Sequence, residues 1–180
     1  MGLDRARLPA RHELKYYINP AELEALQRRL LAVMRLDAHC RGGRPYNVRS
    51  LYFDNAFDSA YYDKVDGVMA RDKYRLRIYN RSDAVIFLER KRKLGDLIQK
   101  SSLRITRRLA EQPISGDPRG LYRAEAPPLR EMYAAMRTGA MRPAVLVDYD
   151  RLAFAHPAET TRITFDMRMR TGPSSPALFS

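Results

Sequence analysis

The sequence predicts an α+β domain, an antiparallel β-barrel with helices on its outside, and three observations carry that prediction. Stretches of strict alternation between cationic and apolar residues recur, Lys73-Tyr74-Arg75-Leu76-Arg77-Ile78-Tyr79 being the cleanest. Strand side chains repeat every two residues, so Lys73, Arg75, Arg77 and Tyr79 share one face and Tyr74, Leu76 and Ile78 the other. Short turn signals at Asn80-Arg81-Ser82-Asp83 and Gly95-Asp96 separate successive stretches and make neighbours antiparallel. Apolar residues at helical spacing, Leu23, Leu26, Leu30, Val33 and Met34, and again Met132, Tyr133 and Met136, supply the flanking helices.

In chain order, residues 1–10 read as a flexible lead-in to one domain over 11–170. Arg11 to Ile18 alternates as a first strand, with Arg11, Glu13, Lys15 and Tyr17 on one face and His12, Leu14, Tyr16 and Ile18 on the other. Asn19-Pro20-Ala21-Glu22 is a helix start: Asn19 accepts from an orphan N–H, Pro20 suits the first turn, and Glu22 stands where a capping-box acid belongs. Gly42-Gly43-Arg44-Pro45 is a loop by its breakers. Strands are expected over Tyr46–Asp54, Met69–Tyr79, Ala84–Lys93 and Leu97–Arg107, with a short helix or irregular crossover over 55–65. Prolines and glycines break up 112–128 before a helix over Leu129–Arg137. Two more strands follow, from Ala144 to about Phe154 and from Thr160 to Met167. The segment 171–180 reads as a disordered tail.

The formal net charge is +12, from 33 Lys and Arg against 21 Asp and Glu. Such an excess favours a polyanionic partner, whether nucleic acid, an acidic membrane surface or phosphate compounds. Cys40 is the single cysteine, which excludes an internal disulfide and argues against a thiolate metal site. No apolar run spans a bilayer and no secretory core precedes the domain, so a soluble, cytoplasmic protein is the expectation. Neither a P-loop nor a nucleophile elbow occurs. His12, His39 and His156 are scattered and read as structural or solvated.

What remains is a pattern of acids among cations. Glu13 shares a face with Lys15, Glu89 with Lys91 and Lys93, Lys73 with Arg75 and Arg77, and Lys100 with Ser102 and Arg104. Taken one strand at a time, each is simply a solvated face. Taken together, with apolar residues mainly on the opposite faces, they describe a barrel lined with cations. A lone glutamate among them suits a hard divalent ion, while Lys and Arg suit phosphate oxygens.

Six motifs then occur in order: Arg11-His12-Glu13-Leu14-Lys15-Tyr16, Val48-Arg49-Ser50-Leu51-Tyr52-Phe53-Asp54, Lys73-Tyr74-Arg75-Leu76-Arg77, Phe87-Leu88-Glu89-Arg90-Lys91, Tyr149-Asp150-Arg151 and Arg162-Ile163-Thr164-Phe165-Asp166. Together they resemble the VTC-type polyphosphate polymerase domain of the CYTH-like, triphosphate tunnel metalloenzyme superfamily. The resemblance implies an antiparallel β-tunnel that moves the terminal phosphoryl group of ATP onto a polyphosphate chain with Mn2+ or Mg2+. Carried over, its phosphate-binding set is Lys15, Arg75, Arg77, Lys91, Lys100, Arg151 and Arg162, with Arg49 and Lys73 as secondary candidates. Glu13 and Glu89 become metal or water-positioning carboxylates.

The resemblance also implies a further strand, bearing a Glu-x-Lys motif, beyond the Arg162 motif. The sequence instead runs through a Pro/Ser-rich stretch to Ser180. The expected barrel is therefore incomplete at its C-terminal strand, through a fragment, a natural short form, or completion by another chain or a second copy. Two other activities stay open. One is hydrolysis of inorganic triphosphate or a related tunnel phosphohydrolase or cyclase reaction, against which stands Arg11 where those branches typically carry a further glutamate. The other is a non-catalytic polyphosphate sensor. Nucleic acid ranks low, because the basic residues face inward and no aromatic stacking motif accompanies them.

Overall fold

In the computed structural model, residues 13–95, 97–173 and 177–179 are described. The expected lead-in, with Arg11 and His12, lies outside them. The chain forms α1 (Pro20–Leu30), β1 (Arg35–Leu36), β2 (Tyr46–Asp54), α2 (Ser59–Val65), β3 (Ala70–Tyr79), β4 (Ser82–Leu94), β5 (Leu97–Ile105), α3 (Arg107–Ser115), α4 (Pro127–Thr138), β6 (Arg142–Ala155) and β7 (Arg162–Pro173). Every strand pairing is antiparallel. The order runs β7-β6-β2-β3-β4-β5, with the two residues of β1 extending the β2 side of β6. The sheet curls into a half-barrel and stays open between β5 and β7. This is the α+β antiparallel architecture the alternation implies, with its wall incomplete.

Helices α3 and α4 cover one face of the sheet. From the sheet, Leu51, Phe53, Tyr74, Leu76, Ile78, Ile86, Leu88 and Ile105 bury themselves against Ala110 of α3, Leu129, Met132 and Met136 of α4, and Leu121 in the link between them. Each such large side chain removed from water is worth about 1.5–3 kcal/mol, which is why the apolar half of each alternating strand faces this way. A smaller cluster, Met34, Cys40, Tyr46, Val48, Tyr149, Leu152, Ala153, Phe154 and Phe165, closes the far end of β6.

Several elements form for reasons already visible in the chain. At α1 the Asn19 side chain accepts from the Glu22 N–H at 2.9 Å and the Glu22 carboxylate accepts from the Asn19 N–H at 2.8 Å, the expected capping box. Pro127 and Pro128 open α4, where a missing N–H costs nothing. Asn80 and Arg81 both adopt positive φ, +51° and +55°, and make a two-residue turn from β3 to β4. Asn80 is held there by accepting from the Asn47 N–H at 3.0 Å.

Four expectations need correction. Residues 13–18 form no strand; Leu14, Tyr16 and Tyr17 stand exposed, so their alternation has no ladder to join. The fifth expected strand stops at Ile105, because Thr106 caps a new helix, α3, by accepting from the Leu109 N–H. Pro113, read as a breaker, sits buried in the last turn of α3 before Gly116 ends it at φ +79°. The segment expected to be disordered carries β7 through Pro173 and a turn at Ala177–Phe179 that buries Leu178 completely in the main core. Leu178→Ala is therefore expected to cost about 2–5 kcal/mol, measured by urea unfolding. A change within about 0.5 kcal/mol, the range of an ordinary surface substitution, would show that this segment does not hold the core.

No helix among the described residues is long and apolar enough to cross a membrane.

Candidate phosphate-binding face

Directly opposed residues of paired strands share a face, so register decides which charges meet. On the face opposite α3 and α4, Tyr52, Arg75, Glu89 and Ser102 lie in one row across β2, β3, β4 and β5. Ser50, Arg77, Phe87 and Arg104 form the next row. On the other side of the Arg75 row, Lys73, Lys91 and Lys100 stand side by side on three adjacent strands. Like charges in direct opposition repel, so a row of three lysines is unfavourable unless anions compensate it.

Glu89 is the centre of this face. Arg75 donates from Nε at 2.6 Å and Lys100 lies 2.7 Å from the other carboxylate oxygen, while Arg77 approaches to 3.6 Å. Arg75 also donates to the Tyr52 hydroxyl at 2.7 Å, which fixes its planar fork. Glu89 and Arg77 are only 4% and 5% exposed. Burial alone would raise the Glu89 carboxyl, but Arg75, Arg77 and Lys100 outweigh it and hold it at about 2. Burial lowers the Lys100 ammonium, assisted by Arg77 and Arg75 and opposed by Glu89. One carboxylate thus serves three cations, and the local charge is positive. Arg77 Nε finds no acceptor among the described residues.

Further along the face, Arg151 forks onto Asp166 through two bonds of 2.7 Å, with its guanidinium 5.2 Å from the Tyr149 ring centroid. Arg162 pairs with Asp37 at 3.0 Å and donates to the Tyr46 hydroxyl at 3.3 Å. The Lys91 ammonium meets Glu13 at 2.5 Å, and Lys15 lies 3.5 Å from the same carboxylate.

The structure brings Arg75, Arg77, Lys91 and Lys100 onto one face with Lys73, and Arg151 and Arg162 onto its continuation. Lys15 is brought there only through Glu13; its own side chain is 81% exposed and no strand holds it. Arg49 is a correction. It opposes Ile78 and Asp148, so it points to the helix-covered face, where it is buried against Asp148 at 2.9 Å. Arg49→Ala is accordingly expected to lower the melting temperature while leaving phosphate binding per folded molecule unchanged, as read by calorimetry; a selective loss of binding would return Arg49 to the site.

The two nominated carboxylates do not make a metal cage. No three His, Cys, Asp or Glu side chains gather among the described residues, and Glu89 has a cation against each oxygen. Its place is that of an internal counter-ion. Sequence reasoning missed Tyr52, which orients Arg75, and Asp166 as the partner of Arg151. Only the shared spacing of Arg162, Thr164 and Asp166 hinted at the latter.

No curated protein matches the chain significantly. The VTC domain family matches over residues 10–174, which takes in every element from α1 to β7 and all the cations of the face. The chain therefore belongs to the VTC domain family, a family associated with polyphosphate.

Proposed function

We propose that the cationic face binds ATP and polyphosphate and transfers the terminal phosphoryl group of ATP to the growing chain. The observation that carries this reading is the surplus of positive charge: three cations around the single carboxylate of Glu89, beside the row Lys73, Lys91 and Lys100. A chain of phosphates presents anions at regular intervals, as adjacent strands present the cations. Arg75 and Arg77 offer planar forks to phosphate oxygens and the lysines mobile point charges. Phosphoryl transfer needs little more than alignment and stabilisation of developing charge, which fixed cations provide. Tyr52 and Glu89 hold Arg75 in place, so little reorganisation is needed on binding.

The expected Mn2+ or Mg2+ fits this arrangement as an ion carried on the phosphate oxygens, since such ions need only one or two carboxylates when phosphates complete their shell. Glu13, on the exposed side of Lys91, is the carboxylate placed to assist. No step above depends on the ion.

Incubation with ATP and Mn2+ should yield polyphosphate, resolved by gel electrophoresis, and Lys91→Ala should abolish most of it. Release of inorganic phosphate alone would instead favour hydrolysis. A second reading, a polyphosphate sensor, is favoured by the engagement of Glu13 and Glu89 with cations. Tight polyphosphate binding with no turnover at any divalent ion would select it.

A further inference from the structure

At the end of the face where β2 and β3 meet the loop before β2, a cleft of about 630 Å³ opens between His39, Arg44, Tyr46, Tyr79 and Asn80. Its volume is that of a small-molecule site. Three aromatic rings border it: His39 and Tyr79 each lie 5.9 Å from Tyr46, centroid to centroid, inclined at 51° and 57°. Arg44 lines the rim and makes no ion pair among the described residues. Two hydroxyls tie the cleft to the cations: Arg77 donates to Tyr79 at 3.5 Å and Arg162 to Tyr46 at 3.3 Å.

The geometry points to this cleft as the seat of the nucleoside, resting on the reading of the face as a nucleoside triphosphate site. Tyr79 ends the same β3 row as Arg77, Arg75 and Lys73. The row spans roughly 20 Å at about 3.3 Å per residue. A base against His39 and Tyr79 sets its phosphates beside Arg77 and Arg162, and the polyphosphate end toward Lys73, Lys91 and Lys100. Aromatic faces accept any base, because every base has a π-face, and the polar rim offers no fixed pattern that selects one. The cleft therefore takes nucleosides as a class, adenine among them, by stacking rather than by edge recognition.

Calorimetry of the whole chain with two probes, ATP and inorganic tripolyphosphate, separates the cleft from the phosphate face. His39→Ala, at an exposed position, and Tyr79→Leu should each weaken ATP about tenfold, the loss of roughly one stacking contact. Both should leave tripolyphosphate within twofold. Tyr79→Phe, which keeps the ring, should bind ATP like the natural chain. Lys91→Ala should weaken both ligands. Parallel changes in ATP and tripolyphosphate, or no change in either, with tripolyphosphate still bound, would overturn the cleft and leave the phosphate face standing. Absence of binding by either ligand to the natural chain would overturn both readings.

Discussion

Arg75→Ala is expected to reduce polyphosphate synthesis by about 10²–10³-fold, the usual cost of removing one preorganised donor from a developing anion. The fold should survive, because Glu89 keeps Lys100 at 2.7 Å and Arg77 at 3.6 Å. Arg75→Lys restores a charge but not the fork that bridges Glu89 and Tyr52, so it should recover only part of the rate. Initial rates at saturating ATP, with folding checked by circular dichroism, test this. Activity of the alanine variant within a few-fold of the natural chain would remove Arg75 from the site.

Glu89→Gln should destabilise the ligand-free protein by about 3–5 kcal/mol, because it leaves Arg75, Arg77 and Lys100 without their counter-ion in a buried setting. The sign of the pH dependence follows from the depressed carboxyl, at about 2 against an ordinary value of 4.5. The stabilisation is fully present above about pH 4.5 and drains away as pH falls through 2. The gap between natural and glutamine chains in urea unfolding should therefore shrink across that window. Tripolyphosphate at a hundredfold excess over its dissociation constant adds about 2.7 kcal/mol by mass action. It should add more to the glutamine variant, whose cations no longer share a carboxylate with the ligand. A pH-independent gap would show that Glu89 is not the counter-charge.

Most of the sheet was legible because its apolar residues alternate and its turns are short. Leu94 opposes Leu97 directly, and the same register carries Lys91 to Lys100 and Glu89 to Ser102 without interruption. The opposite case is the stretch 11–18. Its alternation is as regular as that of β3, yet residues 13–18 form no strand. Periodicity describes which side chains share a face; it does not supply a neighbour to bond. The short β1 offered too little pattern to read, and α3 was hidden by Pro113, which reads as a breaker yet sits inside the helix.

Alternation alone puts Lys73, Arg75 and Arg77 on one face, Glu89 and Lys91 on another, and turns the apolar residues between them to a core. That these two faces are one depends on the pairing of β3 with β4. The Asn80–Arg81 turn pairs Tyr79 with Ser82, and extended unchanged it would set Arg75 opposite Ile86. An irregularity between Arg77 and Tyr79 shifts the pairing by an odd number of residues, so Arg75 meets Glu89 instead. An odd shift exchanges the faces of a strand. It is favoured here because it sends Ile86 and Leu88 into the core beneath α3 and α4 and leaves the carboxylate among the cations. The charge pattern was written in the residues; its convergence on Glu89 came from burying the side chains between them.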